Sequence, residues 1–388
     1  MITVDEALAK LFALVDPVDS ETVPLLDAST RVLAKPVTAR RDQPPFAASA
    51  MDGYAIVGGA AGQSFTVIGE SAAGHGFPGN VGPGQAVRIF TGAPVPDGAL
   101  RVIIQEDVVR SEDQITLKDN LDPKAYIRPV GADFKAGSQI DAPRRLGPAD
   151  IALMASMNIA DVRVRRKPVV ALIATGDELV MPGETPNADQ IIASNTYGLA
   201  AMFQAAGAVP RVLPIARDNA PSLRTAFELA QDADMIVTIG GASVGDHDIV
   251  APVSQQMGMD RAFYKIAMRP GKPLMAGRMG KSVMIGLPGN PVSSMVCGTI
   301  FVLPVLHAML GLPPQPMPRQ HAPLTVDMGP NGPREHYMRA ELTADGIRPF
   351  DRQDSSLLTV LGAANALLVR PIHDQARTSG EIVQYIPI

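Results

Sequence analysis

The sequence predicts a multidomain α/β protein whose largest part is a parallel sheet with helices on both faces. Three observations support this prediction. From residue 168 to residue 310, apolar runs of strand length alternate with helical patterns, as in chains built from βαβ units. From residue 44 to residue 140, short β-branched runs separated by Gly and Pro predict an inserted, mainly-β module. At 388 residues the chain exceeds the size at which a single core keeps growing, so we expect several domains.

The composition excludes several classes of protein. A formal net charge of −5 and a pI near 5.7, with no long Lys/Arg run, argue against a nucleic-acid surface. The single cysteine, Cys297, excludes a disulfide framework and a cysteine zinc site, and the six histidines lack metal-ligand spacing. The start MITVDEALAKL lacks the pattern of a signal peptide. We therefore expect a cytoplasmic protein with a small substrate.

The first part of the chain combines two helical patterns with short strands. Apolar residues recur at helical spacing from Val4 to Val15, and a second helix is expected from Pro148 to Met157 with its proline at the first position. Between these helices, strands are expected at 55–57, 65–68, 86–90, 102–105 and 114–117. Asp52 belongs to an Asp-Gly pair that is also typical of a hairpin turn, so a structural and a functional role both remain open.

The alternating part begins with a buried strand from Val169 to Ala174. Further strands are expected at 210–215, 235–239, 261–268 and 282–285. Helices are expected from a Ser194 cap to Ala206, at 221–230, at 249–257, and in a long segment after Asn290-Pro291, where Asn is the cap. The apolar run 292–312 is nearly long enough to span a bilayer, but its polar residues favour a core helix. After a proline-rich hinge, runs at 337–342, 366–370 and 382–386 predict a small β domain.

Polar motifs follow the strands of the predicted sheet, at the edge where such sheets bind ligands. The motifs are Thr175-Gly-Asp-Glu178, Arg217-Asp218, GGASVGDHD (240–248), Arg269-Pro-Gly-Lys-Pro273 and Leu287-Pro-Gly-Asn-Pro291. Three glycines in six residues suit a phosphate, and Asp246 and Asp248 directly after them suit a divalent cation, although a purely structural turn is the alternative. The carboxylates and the Lys and Arg side chains of these motifs together predict a phosphorylated or nucleotidyl ligand with a divalent ion.

Six motifs in this order resemble the MoeA family of molybdopterin molybdenumtransferases, which includes the gephyrin and plant Cnx E-domains. They are SAMDGYA (49–55), TGAPVP (91–96), TGDEL (175–179), GGASVGDHD (240–248), KIAMRPGKP (265–273) and GLPGNPVS (286–293), with weaker similarity in REHYMRAEL (334–342) and QDSSLL (353–358). The resemblance implies an elongated linker domain at 1–40 plus 136–166 and an inserted β domain at 41–135. It also implies a MogA/MoaB-like molybdopterin-binding α/β domain at 167–312 and a C-terminal β domain at 313–388.

The resemblance also implies an activity: insertion of molybdate into adenylylated molybdopterin, with release of AMP and with Mg²⁺ as cofactor. It implies a homodimer in which the partner's β domain completes the site, and transfer of the product to molybdoenzymes or to other cofactor-biosynthesis proteins. Matching positions assign catalytic roles to Asp52, Asp133, Glu178, Asp218, Asp248, Lys265 and Lys272, of which Glu178, Asp218 and Asp248 hold the metal. Substrate-binding roles fall to Thr91, Arg128, Gly240, Gly241, Ser243, Gly245, Arg269, Pro288, Gly289, Asn290, Pro291 and Ser355.

The chain departs from the family pattern in three places. Arg269 stands where many members have Lys, Pro129-Val130 and Ala132 replace a more charged stretch, and Asp354 adds a negative charge to a QGS-like run. Two readings therefore stay open beside the transferase. One is a CinA-like nucleotide-processing enzyme, which shares the sheet domain but lacks SAMDGYA. The other is a non-catalytic scaffold or chaperone that binds molybdopterin or the finished cofactor.

Overall fold

The computed structural model describes residues 1–241 and 249–388, which divide into two compact units. The first, which we call the sheet unit, comprises Met1–Glu21, Thr30–Ala34 and Val164–Ile388. The second, which we call the β unit, comprises Thr22–Ser29 and Lys35–Arg163.

The helices predicted from periodicity are present, with ends shifted by a few residues. The α-helices of the described residues are α1 (Val4–Phe12), α2 (Pro148–Ser156), α3 (Ser194–Ala205), α4 (Ala220–Leu229), α5 (Val250–Gln256), α6 (Pro291–Cys297), α7 (Leu303–Met309) and α8 (Leu358–Ala363). A π-helical turn, Gly298–Val302, joins α6 to α7. The resulting helix is long and apolar enough to cross a membrane, but 83% of its apolar window is buried inside the protein. It packs as a core helix, and Cys297 on it is fully buried.

The first 168 residues contribute short strands, and the predicted β module is confirmed. These strands are β1 (Ser20–Pro24), β2 (Val32–Leu33), β3 (Val37–Thr38), β4 (Ala48–Ser49), β5 (Gly53–Ile56), β6 (Ser64–Ser71), β7 (Gln85–Ile89), β8 (Arg101–Ile104), β9 (Val108–Ser111), β10 (Gln114–Leu117), β11 (Ile127–Arg128), β12 (Gln139–Ile140), β13 (Arg144–Arg145) and β14 (Asp161–Arg165). Six of them form one sheet of the β unit in the order β8-β5-β7-β6-β10-β9. Residues alternate between its faces, so that Tyr54 and Ile103 enter one core while Ala55 and Val102 enter another.

The sheet unit is built around six strands in the order β18-β15-β19-β23-β22-β20. The strands of this region are β15 (Val169–Ala174), β16 (Leu179–Val180), β17 (Ile191–Ile192), β18 (Val209–Val212), β19 (Met235–Ile239), β20 (Asp260–Tyr264), β21 (Met268–Arg269), β22 (Met275–Met279) and β23 (Ser282–Leu287). Four of the six central strands are parallel, as predicted, and β15, β19 and β23 are buried on both faces. Helices α1, α3, α6 and α7 cover one face, and α4 and α5 cover the other.

The sequence reading of this sheet was wrong in two places. Strand β22 was missed, and it runs antiparallel to both of its neighbours, β23 and β20. A two-residue turn with Gly280 at φ +58° joins β22 to β23, and such a turn connects only antiparallel neighbours. The strand expected at 261–268 ends at Tyr264. Lys265 has φ +72°, which no strand residue adopts, and the chain then leaves for a second sheet.

That second sheet confirms the predicted C-terminal β domain. Its strands are β24 (Gln320–Pro323), β25 (Glu335–Thr343), β26 (Gly346–Pro349), β27 (Ala366–Arg370) and β28 (Ile382–Pro387). The sheet order is β21-β25-β27-β28-β24, with β26 paired to β25. Since β21 runs parallel to β25 with Arg269 level with His336, the Arg269-Pro-Gly-Lys motif is anchored to the C-terminal sheet.

Candidate active site

A cavity of about 580 Å³ lies at the carboxyl ends of the parallel strands of the sheet unit. Eight residues predicted for the site line it: Glu178, Asp218, Gly240, Gly241, Pro288, Gly289, Asn290 and Pro291. They come from loops that follow β15, β18, β19 and β23. The convergence expected from the topology of a parallel sheet is therefore present in the structure.

The two carboxylates that line the cavity are held by neighbouring loops. Asp177 Oδ1 accepts a hydrogen bond from the Asp218 N–H at 3.1 Å, and Asp218 Oδ2 accepts one from the Asp177 N–H at 3.4 Å. The Gly176 N–H donates to the Ala216 carbonyl at 3.1 Å. Gly176 has φ +148°, and a Cβ at this position would collide with the Glu178 carboxylate. These contacts bring Glu178 and Asp218 to one cavity.

The glycines after β19 allow a close approach of backbones. Gly240 and Gly241 have φ values of +95° and +61°, and a Cβ on Gly240 would lie 2.8 Å from the Thr175 carbonyl oxygen. A Cβ on Gly241 would collide with Val250. The rest of the predicted loop, which includes Ser243, Gly245, Asp246 and Asp248, lies outside the described residues.

The start of α3 contributes cavity residues that the sequence reading missed. Ser194 was expected to be the cap of this helix, but Ala193 occupies the cap position and Ser194 is the first helical residue. Ser194 and Asn195 line the cavity, and Asn195 Nδ2 donates to the Gly289 carbonyl at 2.7 Å. Asn290 is at the cap position of α6 but makes no side-chain capping bond. The helix-cap residues in the sequence correctly predicted where these loops are. In the structure, however, the side chains of Ser194, Asn195 and Asn290 line the cavity and do not cap the helices.

A buried arginine that sequence reading did not select is bonded to the segment that leads to the cavity residue Ser356. The Arg339 side chain on β25 is fully buried, and its Nη2 donates to the carbonyls of Arg352 at 3.2 Å and Asp354 at 3.0 Å. Its Nε and Nη1 have no hydrogen-bond partner among the described residues. Ser356, two residues beyond Asp354, lines the cavity and donates to the Asp354 carboxylate. The predicted Ser355 does not line the cavity; its carbonyl accepts the Val292 N–H.

Positive charges surround His336 at the same end of the C-terminal sheet. Burial, and in addition the charges of the nearby Arg269, Arg339, Arg370 and Arg334, lower the pKa of His336 to about 4. Burial also lowers the pKa of Arg339, and Arg269 adds to this effect. Of these arginines, Arg370 is paired with the buried Asp374, and the charge of Asp354 acts on Arg339 in the opposite direction to that of Arg269.

The predicted basic residues lie outside the cavity lining. Arg269 and Lys272 are exposed on the segment that leads to Pro273, which does line the cavity. Lys265 Nζ lies 5.2 Å from the centroid of the Tyr264 ring. Arg269 is level with His336 in the β21–β25 pairing, and the buried Arg339 lies three residues further along β25.

In the β unit, Asp52 is held by a residue distant in the sequence. Its Oδ1 accepts hydrogen bonds from the Thr91 N–H at 2.7 Å and from the Thr91 hydroxyl at 2.8 Å. These two bonds, and more weakly the charge of Arg88, lower the pKa of the Asp52 carboxyl. A hairpin-turn Asp would instead bond to its own turn. The partly exposed carboxylate is thus oriented by long-range contacts.

Of the other predicted residues of the β unit, Arg128 lies on β11, the strand next to this segment, and Asp133 lies in the loop that follows β11. β11 pairs with β4, which places Arg128 opposite Ala48. Arg128 and Asp133 are both exposed, and the Asp133 N–H donates to the Gln43 carbonyl. The Gly92 N–H donates to the Ser49 carbonyl. The three motifs of this unit therefore meet on one part of its surface.

Three protein-family models match successive parts of the chain. They are the MoeA N-terminal region (domain I and II) over residues 2–158, a probable molybdopterin binding domain over residues 171–308, and the MoeA C-terminal region (domain IV) over residues 321–388. Together with the strand-end cavity, these matches define an enzyme with a molybdopterin-binding α/β domain.

Curated relatives agree over most of the chain. A molybdopterin molybdenumtransferase of Nostoc sp. is 35% identical, covering 95% of this chain and 89% of its own length. One of Haemophilus influenzae is 36% identical over 80% and 78% of the two chains. The crystal structure of a MoeA protein of Pyrococcus horikoshii superposes with a TM-score of 0.86 at 27% identity, covering 100% of both chains. The chain belongs to the MoeA family of molybdopterin molybdenumtransferases, and it acts in molybdenum cofactor biosynthesis.

These findings decide between the readings that the sequence left open. A CinA-like enzyme would lack the N-terminal module, whereas the MoeA N-terminal and C-terminal models both match on either side of the sheet domain. The curated relatives are transferases, so the scaffold reading is set aside.

Proposed function

We propose that the protein inserts molybdate into adenylylated molybdopterin, releases AMP, and uses Mg²⁺ in this reaction. The strand-end cavity takes the pterin substrate, and the region around Arg339 takes the molybdate. The reaction needs both an anion site for molybdate and a carboxylate site for a hard cation, and the sheet unit provides residues suited to each.

The observation that carries the molybdate assignment is the buried, incompletely bonded Arg339. A guanidinium buried with two nitrogens unpartnered is costly, because buried polar groups normally have hydrogen-bond partners. A tetrahedral oxyanion supplies both the acceptor atoms and the negative charge. Arg269, which lies level with His336 in the β21–β25 pairing, and Lys272, three residues further on, are exposed and add donors of the same sign. The adjacent Ser356 connects this region to the cavity.

The donors of the cavity also fit Mg²⁺. Glu178 and Asp218 present carboxylate oxygens, which are the ligands of hard cations, and no group of three His, Cys, Asp or Glu is found in the part of the chain that the structure describes. Mg²⁺ commonly keeps several waters and binds one or two carboxylates, so two suffice. When bound, the ion would neutralise negative charge on the phosphoanhydride of the substrate. Glu178 and Asp218 would hold it, with Asp248 as the third predicted ligand.

The residues of the β unit serve the same reaction in this proposal. Asp52 is ionised at neutral pH, as an ordinary aspartate is, and the hydrogen bonds from Thr91 lower the pKa of its carboxyl further. An oriented carboxylate of this kind can position a water or a cation at the substrate. We propose a homodimer in which this surface completes the site of the partner subunit. We also propose that the protein is cytoplasmic and passes its product to molybdoenzymes or to other cofactor-biosynthesis proteins.

The test is AMP release by the purified protein from adenylylated molybdopterin. We expect release to require both molybdate and Mg²⁺ and to accompany formation of the molybdenum cofactor. Arg339→Lys keeps the charge but loses the guanidinium geometry, so it should raise the molybdate concentration needed for half-maximal rate. Arg348→Gln, at an exposed position on β26, serves as the control. AMP release that is independent of molybdate would refute the proposal.

A further inference from the structure

The loop that carries Glu178 is held from outside by one arginine. Arg217 Nη1 lies 3.4 Å from the carbonyl oxygen of Gly176, 3.2 Å from that of Asp177 and 3.1 Å from that of Leu179. Three carbonyls within four residues thus point toward a single guanidinium nitrogen. Arg217 is exposed and does not line the cavity, so these contacts are made on the outer side of the loop.

Arg217 also belongs to the loop that carries the second carboxylate. Asp218 is the next residue, and the Asp177 and Asp218 side chains exchange hydrogen bonds with each other's backbone. The Arg217 N–H is itself fixed by the Ser222 hydroxyl at 2.9 Å. The guanidinium therefore ties the Glu178 loop to a segment whose own position is set by α4.

We infer that Arg217 is a positioning residue for the proposed cation site: it holds Glu178 and Asp218 at a fixed separation without contacting the ligand. This inference rests on the proposed function, in which the two carboxylates hold Mg²⁺. Groups behind metal ligands orient them, and losing such a group typically weakens metal binding by roughly 10- to 100-fold.

The direction in which Arg217 substitutions change cation affinity distinguishes a positioning role from a purely electrostatic one. Arg217 is a cation close to two carboxylates, so its charge alone opposes binding of another cation. On charge alone, Arg217→Gln would tighten cation binding and Arg217→Lys would leave it unchanged. If Arg217 positions the loop, both variants weaken binding, because the Gln and Lys side chains are shorter than Arg and end short of the position from which Nη1 contacts the three carbonyls.

The experiment measures binding of Mn²⁺ alone to the full-length protein by electron paramagnetic resonance. We expect Arg217→Gln and Arg217→Lys each to raise the Mn²⁺ dissociation constant by roughly tenfold or more. Arg224→Gln, which removes an exposed arginine of α4 that bonds to Gln256, should leave it unchanged. Amide hydrogen exchange within 176–180 should accelerate in the Arg217 variants only. Thermal unfolding confirms that each variant is folded.

The outcomes distinguish the inference from the proposal on which it rests. If the wild-type protein does not bind Mn²⁺, the proposed cation site fails and the inference fails with it. If the wild-type protein binds Mn²⁺ and the Arg217 variants bind it equally or more tightly, only the positioning role of Arg217 is overturned. Equal weakening in Arg224→Gln would also overturn it, since the weakening would then not depend on the contacts that Arg217 makes with the loop.

Discussion

The sheet unit and the β unit fix their carboxylates in different ways. In the sheet unit, Glu178 and Asp218 are on loops at strand ends, and these loops are linked by hydrogen bonds from backbone N–H groups to the Asp177 and Asp218 carboxylates. In the β unit, Asp52 is held by the side chain and backbone of Thr91, 39 residues away. A parallel sheet collects its loops by topology, whereas a small β module needs specific side-chain contacts. The function of the carboxylates in the sheet unit should therefore depend more on the geometry of the surrounding loops than on the charge of neighbouring residues.

The largest effect is expected for Glu178→Ala. Loss of this carboxylate should lower the rate of AMP release by about 100-fold or more, the range of a positioned acidic group. Because Glu178 is exposed in the cavity, the free energy of unfolding should change by less than about 1 kcal/mol. Glu228→Ala, at an exposed position of α4, is the matched control and should be active. Normal turnover by Glu178→Ala would remove this residue from the site.

Asp52→Asn probes charge separately from geometry in the β unit. The Asn Oδ1 can accept both hydrogen bonds from Thr91, so stability should be nearly unchanged. AMP release should nevertheless fall by about tenfold or more, which corresponds to ~1.4 kcal/mol. An active and stable Asp52→Asn protein would restore the turn interpretation.

Mixing the two inactive variants tests whether the two regions meet across a dimer. After subunit exchange, a heterodimer of Asp52→Asn and Glu178→Ala has one site free of both changes, so about a quarter of the wild-type activity should return. Light scattering should give roughly twice the chain mass of 40.9 kDa. No recovery after confirmed exchange would place both acids in a site within one chain.

His336 provides a pH-dependent effect confined to the sheet unit. Its pKa of about 4 lies below the ordinary value of 6.5, so the unfolded chain takes up the proton first as the pH falls. The folded state therefore loses stability between pH 6.5 and pH 4, by at most about 3 kcal/mol. His336→Gln should lack this component, and the difference between the two unfolding free energies should shrink as the pH falls through this window or reverse in sign. Urea unfolding across the pH range measures it, and a constant difference would contradict the assignment.

The smallest effect distinguishes two neighbouring serines. Ser356 lines the cavity, so Ser356→Ala should reduce turnover by about two- to tenfold, the range of one hydrogen bond. Ser355 contributes its backbone carbonyl to the Val292 N–H, which alanine retains, so Ser355→Ala should be silent. The reverse pattern in steady-state assays would restore the original assignment of Ser355.

Much of the central sheet and its ligand-binding loops could be predicted from the sequence, but less of the neighbouring strands and buried side chains could be. The buried strand from Val169 and the motif loops followed from apolar runs and from the rule that ligands bind at strand ends. The antiparallel hairpin of β22 was hidden because MAGRM has no strong strand pattern, and the positive φ of Lys265 leaves no trace in the sequence. Arg339 was missed since an arginine within a strand is normally exposed, and only packing shows it buried.

No general rule comparable to ligand binding at strand ends predicts the site residues of the β unit. Asp52 resembles a turn residue from its local sequence, and its bond to Thr91 depends on how distant strands pair. Only the family resemblance selected it. Conversely, Ser194 and Asn195 had a local signal, but it was assigned to helix capping.

The buried thiol makes the protein convenient for spectroscopic labelling. Cys297 is the only cysteine of the sequence, it is fully buried, and burial raises the pKa of its thiol, so it stays protonated and inaccessible to alkylating dyes. A cysteine introduced on the rim of the cavity can therefore carry a single fluorophore without removal of the native one. Ile191, which is 59% exposed and lines the cavity, offers such a position. Ligand entry can then be followed in real time on an otherwise unaltered chain.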